Sequence, residues 1–224
     1  VVIEIAGSIT GGMLGTAFLY TNKDSLAIGV GCILEDMKKQ KMTPAELLER
    51  VKRHPAIRPL IEGGEMKEYA AHLIPEGGYN ALPQLYGDGW VMVGDSAGFV
   101  NAIHREGSNL AMTTGRIAAE TVIELKTAGK PFSAANLAAY KARLDDSFVM
   151  KDLKKYAEAP DMLLDNPHML GMYPDFLARS AQTMLTVDGI DKRAKQREIL
   201  ARLKQKRSLW GIIGDAYKFW RAFK

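Results

Sequence analysis

Few side chains in this chain are placed to do chemistry, and they cluster between residues 91 and 115. Val91-Met92-Val93 is a short apolar run that reads as a buried strand. Gly94-Asp95-Ser96-Ala97-Gly98 follows, a turn of small residues with one carboxylate. Gly107, Ser108 and Asn109 then open an apolar helix. A carboxylate at a strand end accepts hydrogen bonds from ligand hydroxyls. A helix start offers unpaired N–H groups and the positive end of the helix dipole. Glycines let a large ligand approach the backbone. Together these suit a ligand with hydroxyls and a developing negative charge. Each residue also has a plain structural alternative. Asp95 is able to cap its own turn, and Ser108 or Asn109 the helix. Asn80, in Glu76-Gly77-Gly78-Tyr79-Asn80, is either a turn residue or a hydrogen-bond partner for a ring.

Other reactive types are scattered. His54, His72, His104 and His168 lack metal-ligand spacing, and Cys32 reads as a small core residue in an apolar strand. No nucleophile elbow, phosphate-binding lysine loop or carboxylate pair is present, so no catalytic residue and no metal site is assigned.

The elements that must position these groups follow from periodicity and turn residues. Strands are expected over 1–5, 16–20 and 26–34 as an antiparallel meander, with a glycine-rich loop at 7–15. Thr43, Pro44 and Glu46 have the spacing of a helix start. A short helical piece is expected over 55–61 and a further strand over 65–73. From Ser108 to Lys126 the helix is apolar on nearly all sides and is expected to be buried. Helices are also expected from Ser133 to Leu144 and over 148–157, 168–185, 192–206 and 210–223. This is an α+β (α/β-derived) chain, with a mixed or antiparallel sheet and a largely helical C-terminal half. Three regions are expected: a sheet domain over 1–90, a ligand-binding strand-turn-helix over 91–130, and a helical region over 131–224.

The chain has 224 residues, 47% of them hydrophobic, enough to bury a substantial core. Its single cysteine excludes a disulfide framework or an all-cysteine cluster within the chain. No apolar run reaches the roughly 18–20 residues of a membrane span, and no signal peptide is visible. A reducing, cytoplasmic setting is the default. The sequence starts inside an apolar strand without an initiator Met, so a longer parent chain is expected. From Asp191 to Arg207 there are eight Lys/Arg against two acids. Such a run is a solvated helix face, or a docking site for an anionic protein or lipid surface. Without interleaved aromatics it does not suit nucleic acid. In the last helix Leu209, Ile212, Ile213, Ala216, Phe219, Trp220 and Phe223 recur at helical spacing, with Lys218, Arg221 and Lys224 off that face. Packing of the apolar face on the body of the domain is expected; an interfacial or docking helix is the alternative.

GDSAGFVN (94–101), followed by REGSNLAMTTGRIAAE (105–120), resembles the second flavin-binding motif of the electron-transfer-flavoprotein:quinone oxidoreductase family, most closely its bacterial FixC branch. LGTAFLY (14–20), RHPAIRPLIEGG (53–64), PEGGYNALPQL (75–85) and SFVMKDL (147–153) match in order. The resemblance implies an FAD-dependent electron-transfer oxidoreductase, of which this chain is the C-terminal half. Region 91–130 would then be the second half of the FAD-binding domain, and 1–90 a substrate- or quinone-type domain. Asp95, with Gly94 and Gly98, would bind the ribityl–pyrophosphate region. Gly107, Ser108 and Asn109 would sit by the flavin N1–C2 edge, where a helix N-terminus stabilises the charge of the reduced ring. Asn80 matches a position near N5, and Gly15 and Thr16 the acceptor pocket.

Quinone oxidoreductases of this family end in a cysteine-ligated iron–sulfur domain, which this cysteine-free C-terminus does not match. The FixC branch implies instead electron-transfer-flavoprotein subunits as donor and a ferredoxin-like protein as acceptor, with quinone and the inner face of the cell membrane as the other possibility. Carnitine metabolism and nitrogen fixation are the physiological contexts of the branch. The basic run 192–207 gains a candidate role in docking an acidic partner. Without the N-terminal dinucleotide-binding unit, the chain alone is expected to hold little FAD and to be inactive. Two rivals remain: a geranylgeranyl-reductase-type flavin reductase or hydroxylase, and a non-enzymatic basic helical binding module.

Overall fold

Alternating residues in the first thirty positions build a three-stranded antiparallel sheet, β1 (Val2–Ile5), β2 (Gly15–Thr21) and β3 (Leu26–Cys32), paired in that order. Val2 lies opposite Tyr20, and Gly15 opposite Cys32. Ala17 of β2 packs with Ile9 and Val51 in a small core. At Gly15 the strands come so close that a Cβ would sit 2.1 Å from the Gly31 carbonyl oxygen. The third strand ends at Cys32, and α1 (Leu34–Gln40) begins where the sequence suggested more strand. Asp36 in its first turn accepts the Leu14 amide at 2.9 Å, a contact that ties the helix start to the sheet. The next helix, α2 (Pro44–Lys52), opens with the expected capping box. Thr43 Oγ1 accepts the Glu46 amide, and Glu46 Oε2 accepts the Thr43 amide at 2.8 Å. A single turn, α3 (Arg58–Ile61), follows. The strand expected over 65–73 does not form. These residues are exposed and pair with no other strand, and an unpaired extended segment has no ladder to hold it.

The computed structural model describes residues 1–224 and divides into two compact units. One contains Val1–Ala71 and Leu163–Ala216; the other contains His72–Met162 and Tyr217–Lys224. The second unit starts its regular structure with a hairpin of β4 (Tyr86–Gly87) and β5 (Trp90–Val91), turned by Asp88-Gly89. Its helices are α4 (Ser108–Thr127), α5 (Ala134–Asp146) and α6 (Phe148–Lys155), followed by α7 (Ala159–Asp165), which passes the division between the units. Ser133 caps α5 as its sequence position suggested. The core of this unit gathers Phe99, Leu110, Ile117, Tyr140, Leu144, Val149 and Leu153. Burial of α4 is one-sided: Leu110, Thr114, Ile117, Ala118, Thr121 and Leu125 point inward, while Met112 and Ile123 are exposed. The expectation of all-round burial is corrected accordingly.

The remaining helices are α8 (His168–Leu185), α9 (Lys192–Lys206) and α10 (Leu209–Phe223). Both sheets are antiparallel and helices dominate after residue 107, so the chain is α+β as expected. No helix is long and apolar enough to cross a membrane. Within the first unit, α9 anchors itself through Lys195, whose buried ammonium donates to the Thr186 carbonyl and pairs with Asp188 at 2.7 Å.

The last helix inverts the expectation drawn from its apolar spacing. Its buried positions include Asp215 and Ala222, while Trp210, Ile213, Tyr217 and Trp220 are 83%, 58%, 59% and 59% exposed. Asp215 is the cause. Only 3% exposed, its carboxylate accepts four hydrogen bonds, all within the first unit. Arg207 Nη2 and Nε donate at 2.7 and 2.9 Å, the Tyr173 hydroxyl at 2.8 Å, and His168 Nε2 lies at 2.9 Å. Burial pushes this carboxyl's pKa up. The bonds from Arg207, Tyr173 and His168 outweigh burial and bring it from 3.8 to about 2. Burial and the bond to Asp215 push the Tyr173 hydroxyl up to about 12.

A group whose pKa falls on folding stabilises the fold above its unfolded pKa and loses that contribution as pH drops through the folded value. Asp215→Asn is therefore expected to destabilise the chain by about 2–3 kcal/mol at neutral pH. The gap to wild type should close as pH falls from 3.8 towards 2. Urea unfolding of both proteins across this range checks it; a gap that stays constant with pH would show that Asp215 is not held ionised by its partners.

Candidate functional site

The turn after β5 is held by its backbone rather than by its carboxylate. Gly94–Ala97 forms a single 3-10 turn, and Gly98 closes it in the left-handed region, donating its amide to the Asp95 carbonyl at 2.7 Å. The Asp95 side chain makes no capping bond and is exposed. Its carboxylate therefore takes no part in closing the turn.

Gly94 is where the turn meets α4. Its φ is +59°, and a Cβ there would lie 3.2 Å from the Ala111 Cβ. The buried Gly94 amide donates to Thr114 Oγ1 at 3.0 Å. Thr114 in turn donates to the Leu110 carbonyl of its own helix at 2.9 Å. One hydroxyl therefore fixes the turn against the second turn of α4. Above it, the Tyr140 hydroxyl donates to the Met92 carbonyl at 2.6 Å and pins the strand that delivers the turn. Burial pushes the Tyr140 hydroxyl's pKa well up, so it remains a donor.

The start of α4 is equally open. Gly107 precedes the helix, and no side chain caps it. Ser108 is exposed and Asn109 half-buried. The first intrahelical bond, from the Ala111 amide to the Gly107 carbonyl at 2.8 Å, leaves the amides of the first turn without side-chain partners. The loop before the helix is organised by Asn101, which is buried and whose Oδ1 accepts the Ile103 and His104 amides at 3.2 Å each. His104 Nε2 lies 2.9 Å from the Tyr156 hydroxyl, with the rings edge to face.

Asn80 sits in a 3-10 turn, Tyr79–Ala81, and its Nδ2 donates to the Ala157 carbonyl at 3.2 Å. Two residues on, Leu82 approaches Gly98: a Cβ on that glycine would lie 3.5 Å from Leu82 Cδ2. The loop carrying Asn80 is therefore a neighbour of the Asp95 turn. Gly94, Asp95, Gly98, Gly107, Ser108, Asn109 and Asn80 all belong to the second unit, whereas Gly15 and Thr16 lie in β2 of the first. Thr114, Tyr140 and Asn101 were not singled out from the sequence. The available signal was slight: a threonine breaking the apolar stripe of α4, and a tyrosine at an otherwise aliphatic core position of α5.

An exposed carboxylate, an uncapped helix start and a glycine contact between the turn and that helix supply donors and acceptors of the kind a polyhydroxylated ligand with an electron-rich ring edge would need. A family model described as the ETF-QO/FixC family C-terminal domain matches residues 159–224. The chain is 63% identical over 220 residues to Protein FixC of Azotobacter vinelandii, covering 98% of this chain and 51% of that protein. It is 48% identical over 157 residues to Protein FixC of Rhizobium leguminosarum, covering 70% of this chain and 96% of that protein. Escherichia coli "Probable electron transfer flavoprotein-quinone oxidoreductase YdiS" is 40% identical over 215 residues, 95% of this chain and 49% of that protein. The chain spans about half the length of the first of these relatives and of YdiS. The resemblance read from the sequence is thereby borne out, and the chain belongs to the ETF-QO/FixC family.

Proposed function

We propose that this chain supplies one part of the flavin cradle of an FAD-dependent oxidoreductase, which takes electrons from an electron-transfer flavoprotein and delivers them to a ferredoxin-like protein or a quinone. The observation that carries this reading is the close contact between the turn that bears Asp95 and α4, through Gly94 against Ala111 and the Gly94 amide on Thr114, in a helix whose start no side chain caps. FAD would supply the redox chemistry, taking up and releasing electrons singly or in pairs. The chain's own residues bind and tune. Asp95 accepts a hydrogen bond from a cofactor hydroxyl, and Gly94 and Gly98 keep side chains out of the way. The amides of Ser108 and Asn109 stabilise negative charge at the N1–C2 edge. Asn80, tied to the Ala157 carbonyl through its amide nitrogen, would have its side-chain carbonyl oxygen available as an acceptor for the ring. Gly15 and Thr16 would line the acceptor pocket. No acid, base or nucleophile is required, because the protein's part is to position the ring and set its potential.

Partner docking falls to α9. Arg207 is committed to Asp215, and Lys195 to Asp188. Arg193, Arg197 and Lys204 remain exposed at spacings that place them along one side of the helix. This row of cations would steer an acidic redox protein into place, raising its on-rate at low ionic strength.

Three results are expected with the intact protein. Asp95→Ala weakens FAD retention by about 1–3 kcal/mol, the cost of one charge-assisted hydrogen bond; equal FAD affinity in an ultrafiltration assay would remove Asp95 from the cradle. Thr114→Val leaves the Gly94 amide buried without a partner and lowers stability by about 1–3 kcal/mol, loosening FAD as well. Arg197→Glu with Lys204→Glu slows reduction of the flavin by its protein donor, or reoxidation by its acceptor, at low salt and flattens the salt dependence. Stopped-flow flavin absorbance reads this directly, and rates unchanged from wild type at every salt concentration would exclude α9 as the docking helix. Turnover of a small substrate with NAD(P)H and no protein partner would overturn the electron-transfer reading as a whole.

A further inference from the structure

Tyr156, Ala157 and Glu158 join α6 to α7, and each of them holds a different part of the second unit. His104 Nε2 lies 2.9 Å from the Tyr156 hydroxyl. The Ala157 carbonyl accepts the Asn80 amide nitrogen at 3.2 Å. Glu158 pairs with Arg221 at 2.8 Å, and the Tyr156 ring also meets Phe223 edge to face, with centroids 5.8 Å apart. Consecutive residues therefore touch the loop before α4, the turn that carries Asn80, and the C-terminal segment 217–224, all within one unit. None of the three belongs to the core of that unit. Their contacts place neighbouring segments rather than bury apolar area.

The loop before α4 needs such a contact. Asn101 and Glu106 exchange backbone hydrogen bonds at 2.8 and 3.1 Å and close the base of the loop. Arg105, beside His104, stands at φ +55°, in the left-handed region that side chains seldom adopt. A residue keeps such a conformation where its surroundings over-determine it. The Asn101 pairing constrains the loop from below, and Tyr156 constrains it from outside, at His104. Arg105, Glu106 and Gly107 alone separate His104 from Ser108, where α4 begins. On the other side of the junction the C-terminal segment is seated by matched contacts. Arg221 and Phe223 meet Glu158 and Tyr156, Ala222 between them is buried, and Phe219 stacks on Phe223 with centroids 4.2 Å apart.

We propose that Tyr156 is a positioning residue, and that through the junction 156–158 the C-terminal segment 217–224 sets the placement of the Asn80 turn and of the loop that leads into α4. A change in how that segment is seated moves both at once. The consequence for the cofactor rests on the flavin reading, in which both border the ring; the first test does not. Amide hydrogen exchange of the intact protein follows Ala81 and Leu82 in the Asn80 turn, and Ile103, His104 and Glu106 in the loop, whose amides are all hydrogen-bonded. In Arg221→Ala/Phe223→Ala, exchange at both sets is expected to rise about fivefold or more while α5 stays as in the wild type. Tyr156→Phe keeps the ring on Phe223 and removes only the hydroxyl. It should speed exchange in the loop and leave the Asn80 turn, which is tied to the Ala157 backbone, unchanged. Wild-type exchange at both sets in the double variant would overturn the proposal. So would an equal rise throughout the unit, α5 included, because the contacts would then be ordinary contributors to stability. The second measurement is the midpoint potential of bound FAD, which Tyr156→Phe should shift at unchanged FAD content. A wild-type potential alongside faster loop exchange would leave the coupling standing and count against placing the flavin at the start of α4.

Discussion

The second unit depends on how closely the Gly94 turn approaches α4. A side chain at Gly94 would place its Cβ 3.2 Å from the Ala111 Cβ, in a left-handed backbone conformation that side chains rarely adopt, and so strain the turn against the helix that receives its amide at Thr114. Everything that makes the region useful follows from that contact. The turn lies low enough for its backbone, rather than the Asp95 side chain, to satisfy its hydrogen bonds, so the carboxylate remains free. The same contact joins the turn to a helix whose start no side chain caps. A buried polar pair costs stability when broken and contributes only modestly when made; its value here is in fixing one arrangement of turn and helix.

The first unit rests on a different kind of constraint. Asp215 gathers donors from α8, from the residue that follows α9, and thereby sets how α10 is rotated. Burying a carboxylate is costly unless its partners satisfy it fully, and four donors do so. The outcome is a helix oriented by polar contacts, which frees its aromatic residues from any duty in the core. The two units thus use the same device in opposite ways: one polar network leaves a carboxylate open, the other consumes one.

Local features were legible from sequence, and non-local ones were not. Thr43, Pro44 and Glu46 announce α2 because a capping box is closed within four residues. The meander of β1 to β3 is legible because three apolar runs are separated by a glycine-rich loop and a polar turn. By contrast, α1 was hidden because Ile33-Leu34 continues the apolar run of β3, and the Asp36 contact that turns the chain reaches back to Leu14. The rotation of α10 was misjudged because periodicity reveals where apolar residues lie but not which face is turned inward. That is decided by His168 and Tyr173, 47 and 42 residues away. The candidate site divides similarly. Its turn, glycines and helix start lie in one stretch and could be named from residue types. Thr114 and Tyr140, 20 and 48 residues from their partners, carry no signature of their own.

Tyr140 also determines how the site responds to its surroundings. Its hydroxyl is shielded enough that it keeps its proton well beyond the alkaline range of ordinary tyrosines, and the acceptor it holds is a peptide carbonyl, which does not titrate. Thr114 and the Gly94 amide have no ionisable group either. The scaffold under Asp95 is thus electrically silent: over any pH at which the chain is folded, it neither gains nor loses a charge. A pH dependence in ligand affinity would then report on the ligand and on the exposed groups that touch it, and the frame beneath would serve as a fixed reference against which such changes are read.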